Sequence, residues 1–256
     1  MAVVLLERPG PGVALLRLNR PDRLNALNMA VRESLAAHFT ELASDEAVRC
    51  VVLTGDEKAF AAGADVAELA QRSPTDEAFA KSRAAWAAVE RYRRPIIAAV
   101  NGFALGGGCE LALHCDIIIA GEGAKLGQPE VKLGIMPGAG GTQRFLRAAG
   151  KFSAMRWLLT GDLLSASQAQ QLGLVSEVLP DGEVLKHALQ LAARIAALPP
   201  LAVAAIKDAV LRGADLPLDA ALRLEGQSFQ QLFTSEDRAE GMRAFLEKRK
   251  PEFKGR

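Results

Sequence analysis

Two glutamates stand out in this chain because little around them calls for charge. Glu110 lies two residues beyond the triplet Gly106-Gly107-Gly108, and Glu130 follows 20 residues later in Gly127-Gln128-Pro129-Glu130. A carboxylate in apolar surroundings is costly to keep charged, and its pKa rises toward the range that serves proton transfer near neutral pH. The pair therefore reads as an acid and a base. The glycines supply the complementary feature. They follow the apolar run 96–100 and precede a helix-like segment, 109–114, so their bare amides fall at a helix start, where unpaired donors and the helix dipole point the same way. Such a site stabilises a developing oxyanion. The same residues also suit a glutamate that offsets the helix dipole and a glycine turn used for packing, and residue types alone leave both readings open.

Groups of this kind need a scaffold, and the hydrophobic pattern describes one. Residues 3–6 and 13–18 read as a hairpin around the turn at Pro9-Gly10-Pro11-Gly12. A helix is predicted over 28–42, where Met29, Leu35, Phe39 and Leu42 recur at helical spacing. A strand at 50–54 leads through the turn Ala61-Ala62-Gly63-Ala64 into helical material over 66–93, interrupted near Ser73-Pro74. Further strands at 96–100, at 117–120 and near 175–178 alternate with helices, the cadence of an α/β fold with parallel pairing. From Leu198-Pro199-Pro200 onward only helices are predicted, over 201–212, 218–233 and 235–249, with Ser235 as a cap. The division is thus a core domain, 1–197, and a C-terminal helical module, 198–256.

Composition sets the outer limits. The 256 residues are 50% hydrophobic and 24% charged, and 31 basic against 30 acidic side chains leave a net charge of +1 with no long charge run. Nothing there advertises a nucleic-acid or membrane surface. Cys50, Cys109 and Cys115 have apolar neighbours, and His38, His114 and His187 lack metal-ligand spacing, so buried thiols, no disulfide and no metal are expected. Met1 runs straight into the apolar stretch 3–6, without the marks of a leader, and no apolar run approaches membrane-spanning length, which points to the cytoplasm. Leu111 breaks the Gly-x-Gly-x-x-Gly spacing, and no Gly-Lys-Ser/Thr follows a glycine cluster. Both nucleotide-cofactor readings fail.

AVNGFALGGGCELALHCDI over 99–117, GQPEVKLGIMPGAGGTQR over 127–144 and Phe60-Ala61-Ala62-Gly63-Ala64-Asp65 together resemble the crotonase superfamily, specifically its enoyl-CoA hydratases. The likeness runs from Leu16-Arg17-Leu18-Asn19-Arg20-Pro21 to the ending Lys250-Pro251-Glu252-Phe253-Lys254-Gly255-Arg256. It implies a spiral of ββα units, two roughly perpendicular sheets flanked by helices, and a C-terminal helical trimerisation module. A homotrimer or a dimer of trimers is implied with it.

The implied substrate is an acyl thioester of coenzyme A, which is itself part of the substrate, so no further cofactor is expected. The implied oxyanion hole joins the amides of Ala64 and Gly107. Glu110 would orient the water, and Glu130 would exchange the proton delivered to C2. Both glutamates are kept here, which favours a hydratase over an isomerase. An RNA-binding or regulatory protein on the same scaffold would show a lysine-rich helix, and none is present.

By the same resemblance, the adenine end of the substrate lies against the loop of Ala62, Ala64, Asp65 and Val66, with Phe245 and Lys248 closing over it. Asp22-Arg23 and Ala67 depart from the hydratase pattern at positions often held by lysine, so phosphate contacts would pass to Arg23. The segment 66–86 would set acyl preference, with Arg72, Lys81 and Arg83 as partners for a distal carboxylate. The whole-chain likeness leans toward bacterial 2,3-dehydroadipyl-CoA hydratases of phenylacetate degradation.

Overall fold

The computed structural model describes every residue except Met1, Pro74 and Asp76. Strands β1 (Val4–Gly10) and β2 (Val13–Leu18) form an antiparallel hairpin in which Gly10 pairs with Val13. The first strand therefore runs well past the expected residue 6. Pro9 is tolerated because β1 is an edge strand and its register is irregular between Glu7 and Gly10. Helix α1 (Met29–Ser44) begins at the cap Asn28, whose side chain accepts from the Val31 amide.

A repeating unit follows. It starts with β3 (Cys50–Thr54), β4 (Ala59–Ala61), the short α2 (Val66–Leu69) and α3 (Glu77–Glu90). It recurs as β5 (Ile96–Val100), β6 (Phe103–Leu105) and α4 (Gly107–Leu113), then as β7 (Ile117–Gly121), β8 (Lys125–Gly127) and α5 (Gly141–Thr160). Each turn is a long strand, a short strand and a helix. The core closes with β9 (Leu164–Ser165), α6 (Ala166–Gln171), β10 (Glu177–Leu179) and α7 (Val184–Ala196). Three helices end the chain: α8 (Pro200–Gly213), α9 (Leu218–Leu232) and α10 (Glu236–Leu246).

The long strands build a six-stranded sheet in the order β1-β2-β3-β5-β7-β10, parallel except for the first hairpin. The short ones build a four-stranded sheet, β4-β6-β8-β9, parallel except for its last pair. Strands β3 and β5 are buried at every residue, which is why they read as unbroken apolar runs. On one face Ala188, Ala192 and Ala196 bring α7 close over Val52, Ile97 and Ile119. On the other, Leu53, Ala98 and Ala120 share a larger core with Leu35 and Phe39 of α1 and Leu111 of α4.

The last predicted strand lies slightly later than expected, at 177–179, and α10 stops at Leu246 rather than at 249 because Lys248 enters the left-handed region at φ 54°. Ser235 caps α10 as expected, accepting from the Arg238 amide. The interruption in the helical stretch 66–93 separates α2 from α3, and Pro74 itself lies outside the described residues. The helical module is pinned to the main sheet by Lys207 of α8, which bonds Asp116 at 2.8 Å and the Arg94 carbonyl at 3.0 Å. The three cysteines are free thiols, Cys50 and Cys109 buried and Cys115 half-buried. Among the described residues no single helix is long and apolar enough to cross a membrane.

Candidate active site

The small sheet is what assembles the site. Its three parallel strands deliver their next residues to one place: β4 leads to Ala64, β6 to Gly107 and Glu110, β8 to Glu130. Leu27 bridges to Ala64, its amide donating to the Gly63 carbonyl at 2.7 Å while its carbonyl accepts from Asp65 at 3.3 Å. That pattern passes over the Ala64 N–H. Gly106, at φ 49°, turns the chain from β6 into α4 and donates to the Gly127 carbonyl at 2.8 Å. Gly107 opens α4, so its amide has no intrahelical acceptor. Among the described residues neither the Ala64 nor the Gly107 amide is spent on a carbonyl.

The two free amides are neighbours, since a Cβ on Gly107 would stand 3.6 Å from the Ala64 nitrogen. The third glycine does different work. A Cβ on Gly108 would come within 2.0 Å of the Ala61 carbonyl oxygen, so its bareness lets α4 lie directly on β4. Packing and chemistry are thus divided between adjacent glycines.

Glu110, on the first turn of α4, is only 3% exposed. Its Oε1 accepts from the Ala139 amide at 2.6 Å and the Gly141 amide at 2.9 Å. Burial pushes its pKa up, while the two backbone donors and the charges of Arg32 and Arg144 pull it back. The loop that carries those donors is itself held, because the His114 Nε2 lies 2.9 Å from the Ala139 carbonyl. His114 stacks on Trp86 with ring centroids 5.2 Å apart, and burial lowers its pKa to about 4. It is therefore neutral near pH 7 and donates through Nε2.

Glu130 occupies a single 3-10 turn, Pro129–Leu133. Burial raises its pKa to about 7; its own backbone amide opposes the shift and the nearby Glu110 charge adds to it. Gln128 is buried beside it, and with its amide nitrogen turned to the carboxylate it donates to Glu130 Oε1 at 3.1 Å and Oε2 at 3.3 Å. Gly106 backs onto the same carboxylate, since a Cβ there would be 3.0 Å from Oε1. The result is a carboxyl group with its pKa raised to about 7 beside the turn that carries the unspent Gly107 amide.

The outer residues are distributed less tightly. Ala62 donates its amide to the Leu24 carbonyl at 2.9 Å, Asp65 pairs with Arg20 at 3.1 Å, and Val66 is exposed. These residues belong to the loop that carries the free Ala64 amide. Arg23 is exposed, and its ion pair among the described residues is with Asp22, at 3.9 Å. Phe245 is 83% exposed on α10, with Lys248 exposed just beyond. Among the described residues no hydrogen bond or ion pair joins the Arg23, Phe245 or Lys248 side chains to the glutamates or the glycine triplet.

The cationic residues of 66–86 also separate. Lys81 and Arg83 are exposed, whereas the Arg72 side chain is 7% exposed and engaged by Glu68. Two polar residues escaped the sequence reading. Gln128 sits immediately before Pro129-Glu130, and Arg32 sits on the apolar stripe of α1, three and seven residues before Leu35 and Phe39. A lone cation on a buried stripe was the available signal for Arg32.

Comparison with known proteins agrees with this geometry. The enoyl-CoA hydratase/isomerase family model matches residues 9–256. A 2,3-dehydroadipyl-CoA hydratase of Escherichia coli K12 is 48% identical over 244 residues, covering 95% of this chain and 96% of that protein. A probable enoyl-CoA hydratase of Rhizobium meliloti 1021 is 49% identical over 253 residues, covering 99% and 98%. The crystal structure of an enoyl-CoA hydratase subunit from Geobacillus kaustophilus superposes with a TM-score of 0.95 at 45% identity, covering 99% of this chain and 98% of that one.

Proposed function

Because the chain belongs to the enoyl-CoA hydratase/isomerase family, we propose that it adds water across the 2,3 double bond of a 2-enoyl-CoA to give a 3-hydroxyacyl-CoA. The fold is that of the crotonase superfamily, and the protein is an enzyme of the hydratase type. The observation that carries the reading is the meeting of two unspent amides with two carboxyl groups of raised pKa, Glu110 buried and Glu130 half-buried. Two retained glutamates favour hydration over double-bond isomerisation, which needs one proton-transfer group and no placed water.

In this reading the thioester oxygen accepts hydrogen bonds from the Ala64 and Gly107 amides, which stabilise it as it gains enolate character. Glu110, locked by the Ala139 and Gly141 amides, holds the water through its remaining carboxylate oxygen. As the water oxygen bonds to C3, Glu130 gives its proton to C2. The proton lost by the water returns to the carboxylate pair, whose charge is unchanged after turnover. His114 and Gln128 are positioning residues, the first for the loop on Glu110 and the second for the Glu130 carboxylate. The chemistry calls for no cofactor beyond the coenzyme A of the substrate.

The finer parts of the proposal have separate supports. The acyl group is 2,3-dehydroadipyl, the substrate in the name of the E. coli relative, with phenylacetate catabolism as its setting and the cytoplasm as its compartment. The adenine end lies along Ala62, Ala64, Asp65 and Val66, with Arg23 at the phosphates. The region 198–256 is the oligomerisation module of a homotrimer or dimer of trimers. Supporting that, Ile206, Val210, Leu218, Phe229, Phe245 and Leu246 stand exposed on its three helices, an apolar surface that an assembly would cover. Phe245 and Lys248 then serve the coenzyme end of a neighbouring copy. Light scattering after size exclusion tests the assembly. Loss of thioester absorbance with crotonyl-CoA and 2,3-dehydroadipyl-CoA tests the reaction, and turnover of neither would overturn it.

A further inference from the structure

The Ala64 amide owes its direction to a segment far from it in sequence. Leu27 pairs with Ala64 in the parallel manner, donating to the Gly63 carbonyl and accepting from the Asp65 amide. In that pattern both bonds go to the neighbours of Ala64, and its own N–H is turned away from Leu27. One step further back, the Ala62 amide donates to the Leu24 carbonyl at 2.9 Å. The place of the 62–65 loop is therefore set by the turn 20–27.

That turn is held in a conformation its residues would not choose. Among the described residues three non-glycine positions enter the left-handed region, and two of them, Leu24 at φ 47° and Asn25 at φ 57°, are adjacent here. Asparagine tolerates that region, whereas leucine does not. Asn25 is 1% exposed and its side chain is used at both ends. Its Oδ1 accepts from the Arg20 amide at 2.9 Å, while Nδ2 donates to the Asp56 carboxylate at 3.0 Å and the Ala59 carbonyl at 2.8 Å. The bridge thus ends on the first residue of β4, the strand that leads to Ala64. Arg20 closes the other side, donating to the Ala26 carbonyl at 2.6 Å and to the carboxylate of Asp65, the residue after Ala64, at 3.1 Å. Strained backbone fixed from several directions belongs where a group must be aimed.

We propose that Asn25 and Arg20 are positioning residues for the oxyanion site, locking the turn 20–27 onto β4 and Asp65 so that the Ala64 N–H is aimed before substrate arrives. The inference rests on the reading of Ala64 and Gly107 as donors to the thioester oxygen. Both side chains act through the backbone they hold and not by contact with substrate. A donor fixed in this way needs no reorganisation as enolate charge develops, so loosening it acts on kcat more than on KM.

The test combines turnover of crotonyl-CoA with the infrared carbonyl band of bound butyryl-CoA, a saturated thioester isotopically labelled at the carbonyl carbon, in wild type, Asn25→Gly and Arg20→Lys. Glycine keeps the left-handed backbone without strain and removes the side-chain bridge. Lysine keeps the charge but lacks the planar fork that bonds Ala26 and Asp65 together. In the wild type the band should lie below its position in free butyryl-CoA, because hydrogen bonds to the oxygen weaken the C=O bond. In each variant it should return part of the way, and kcat should fall about 10- to 100-fold with KM changed by less than about twofold, the loss that a small misplacement produces. A band that stays at the wild-type position, or a loss of turnover no larger than the loss of folded protein, would make the two residues supports of the fold alone and overturn the proposal. Should Asn25→Gly fail to fold, Arg20→Lys decides by the same two readings. A band shifted equally in all the proteins defeats this inference alone, whereas no shift in the wild type defeats the reading of the two amides as well.

Discussion

Replacing Glu130 with glutamine should make the protein both inactive and more stable, and the second effect depends on pH. Burial raises the Glu130 carboxyl from 4.5 to about 7, so in the folded state it keeps its proton over a range where the unfolded chain has lost it. Its contribution to stability is complete below about pH 4.5 and disappears as the pH rises through about 7, where folding must accommodate a partly buried charge. Taken whole, the shift corresponds to about 3 kcal/mol; partial solvent access screens the charge and reduces this to about 1 kcal/mol. Glutamine never ionises and keeps the shape. Glu130→Gln should therefore match the wild type in thermal unfolding at pH 4.5 and exceed it at pH 8 by about 2–4 °C. At either pH its hydration rate should be lower by about 10²–10⁴-fold. Wild-type turnover would remove Glu130 from the chemistry, and a stability difference independent of pH would show that its carboxyl is not held protonated by the fold.

Other expectations follow from the same geometry. With Glu130 as donor and the charge of the carboxylate pair the same before and after turnover, kcat/KM for hydration and for the reverse dehydration should decline together above about pH 7. Gln128→Leu withdraws two donors from the ionised carboxylate, so that midpoint should move upward, read from pH–rate profiles. Gly107→Ala should leave the unfolding midpoint unchanged yet slow turnover by about 10²–10³-fold, because the methyl enters the space before the Ala64 amide without a backbone collision. Gly108→Ala should yield little folded protein, its Cβ falling 2.0 Å from the Ala61 oxygen. Lys207→Met strands the mostly buried Asp116 without its cation and should cost about 3–5 kcal/mol in urea unfolding.

The long apolar strands, the amphipathic helices and both glutamates were legible in the residues themselves, because burial on two faces and a charge without surroundings leave plain marks. The small sheet was not. Three of its strands are three residues long and the last is two, too short for a periodicity, and each lies beside a turn that dominates the local pattern. Only the family resemblance supplied a second sheet. Gln128 was hidden by the stronger signal of the adjacent Pro129-Glu130. Of the cations in 66–86 that the resemblance offers as carboxylate partners, Lys81 and Arg83 face solvent and Arg72 is engaged by Glu68. Which cation turns inward is a property of helix packing, and sequence spacing within one segment does not carry it.

The delivery of the site by successive strands of the small sheet has a further consequence. Neighbouring strands stand about 4.8 Å apart, and Ala64, Gly107 and Glu130 each follow the end of one of three adjacent parallel strands. Strand pitch thus acts as a fixed ruler that spaces the two unspent amides and the Glu130 carboxyl. A residue exchanged after β8 replaces the acid while the ruler and the amides stay where they are. Changing the reaction on this scaffold requires a new side chain at one graduation, not a new arrangement of the chain.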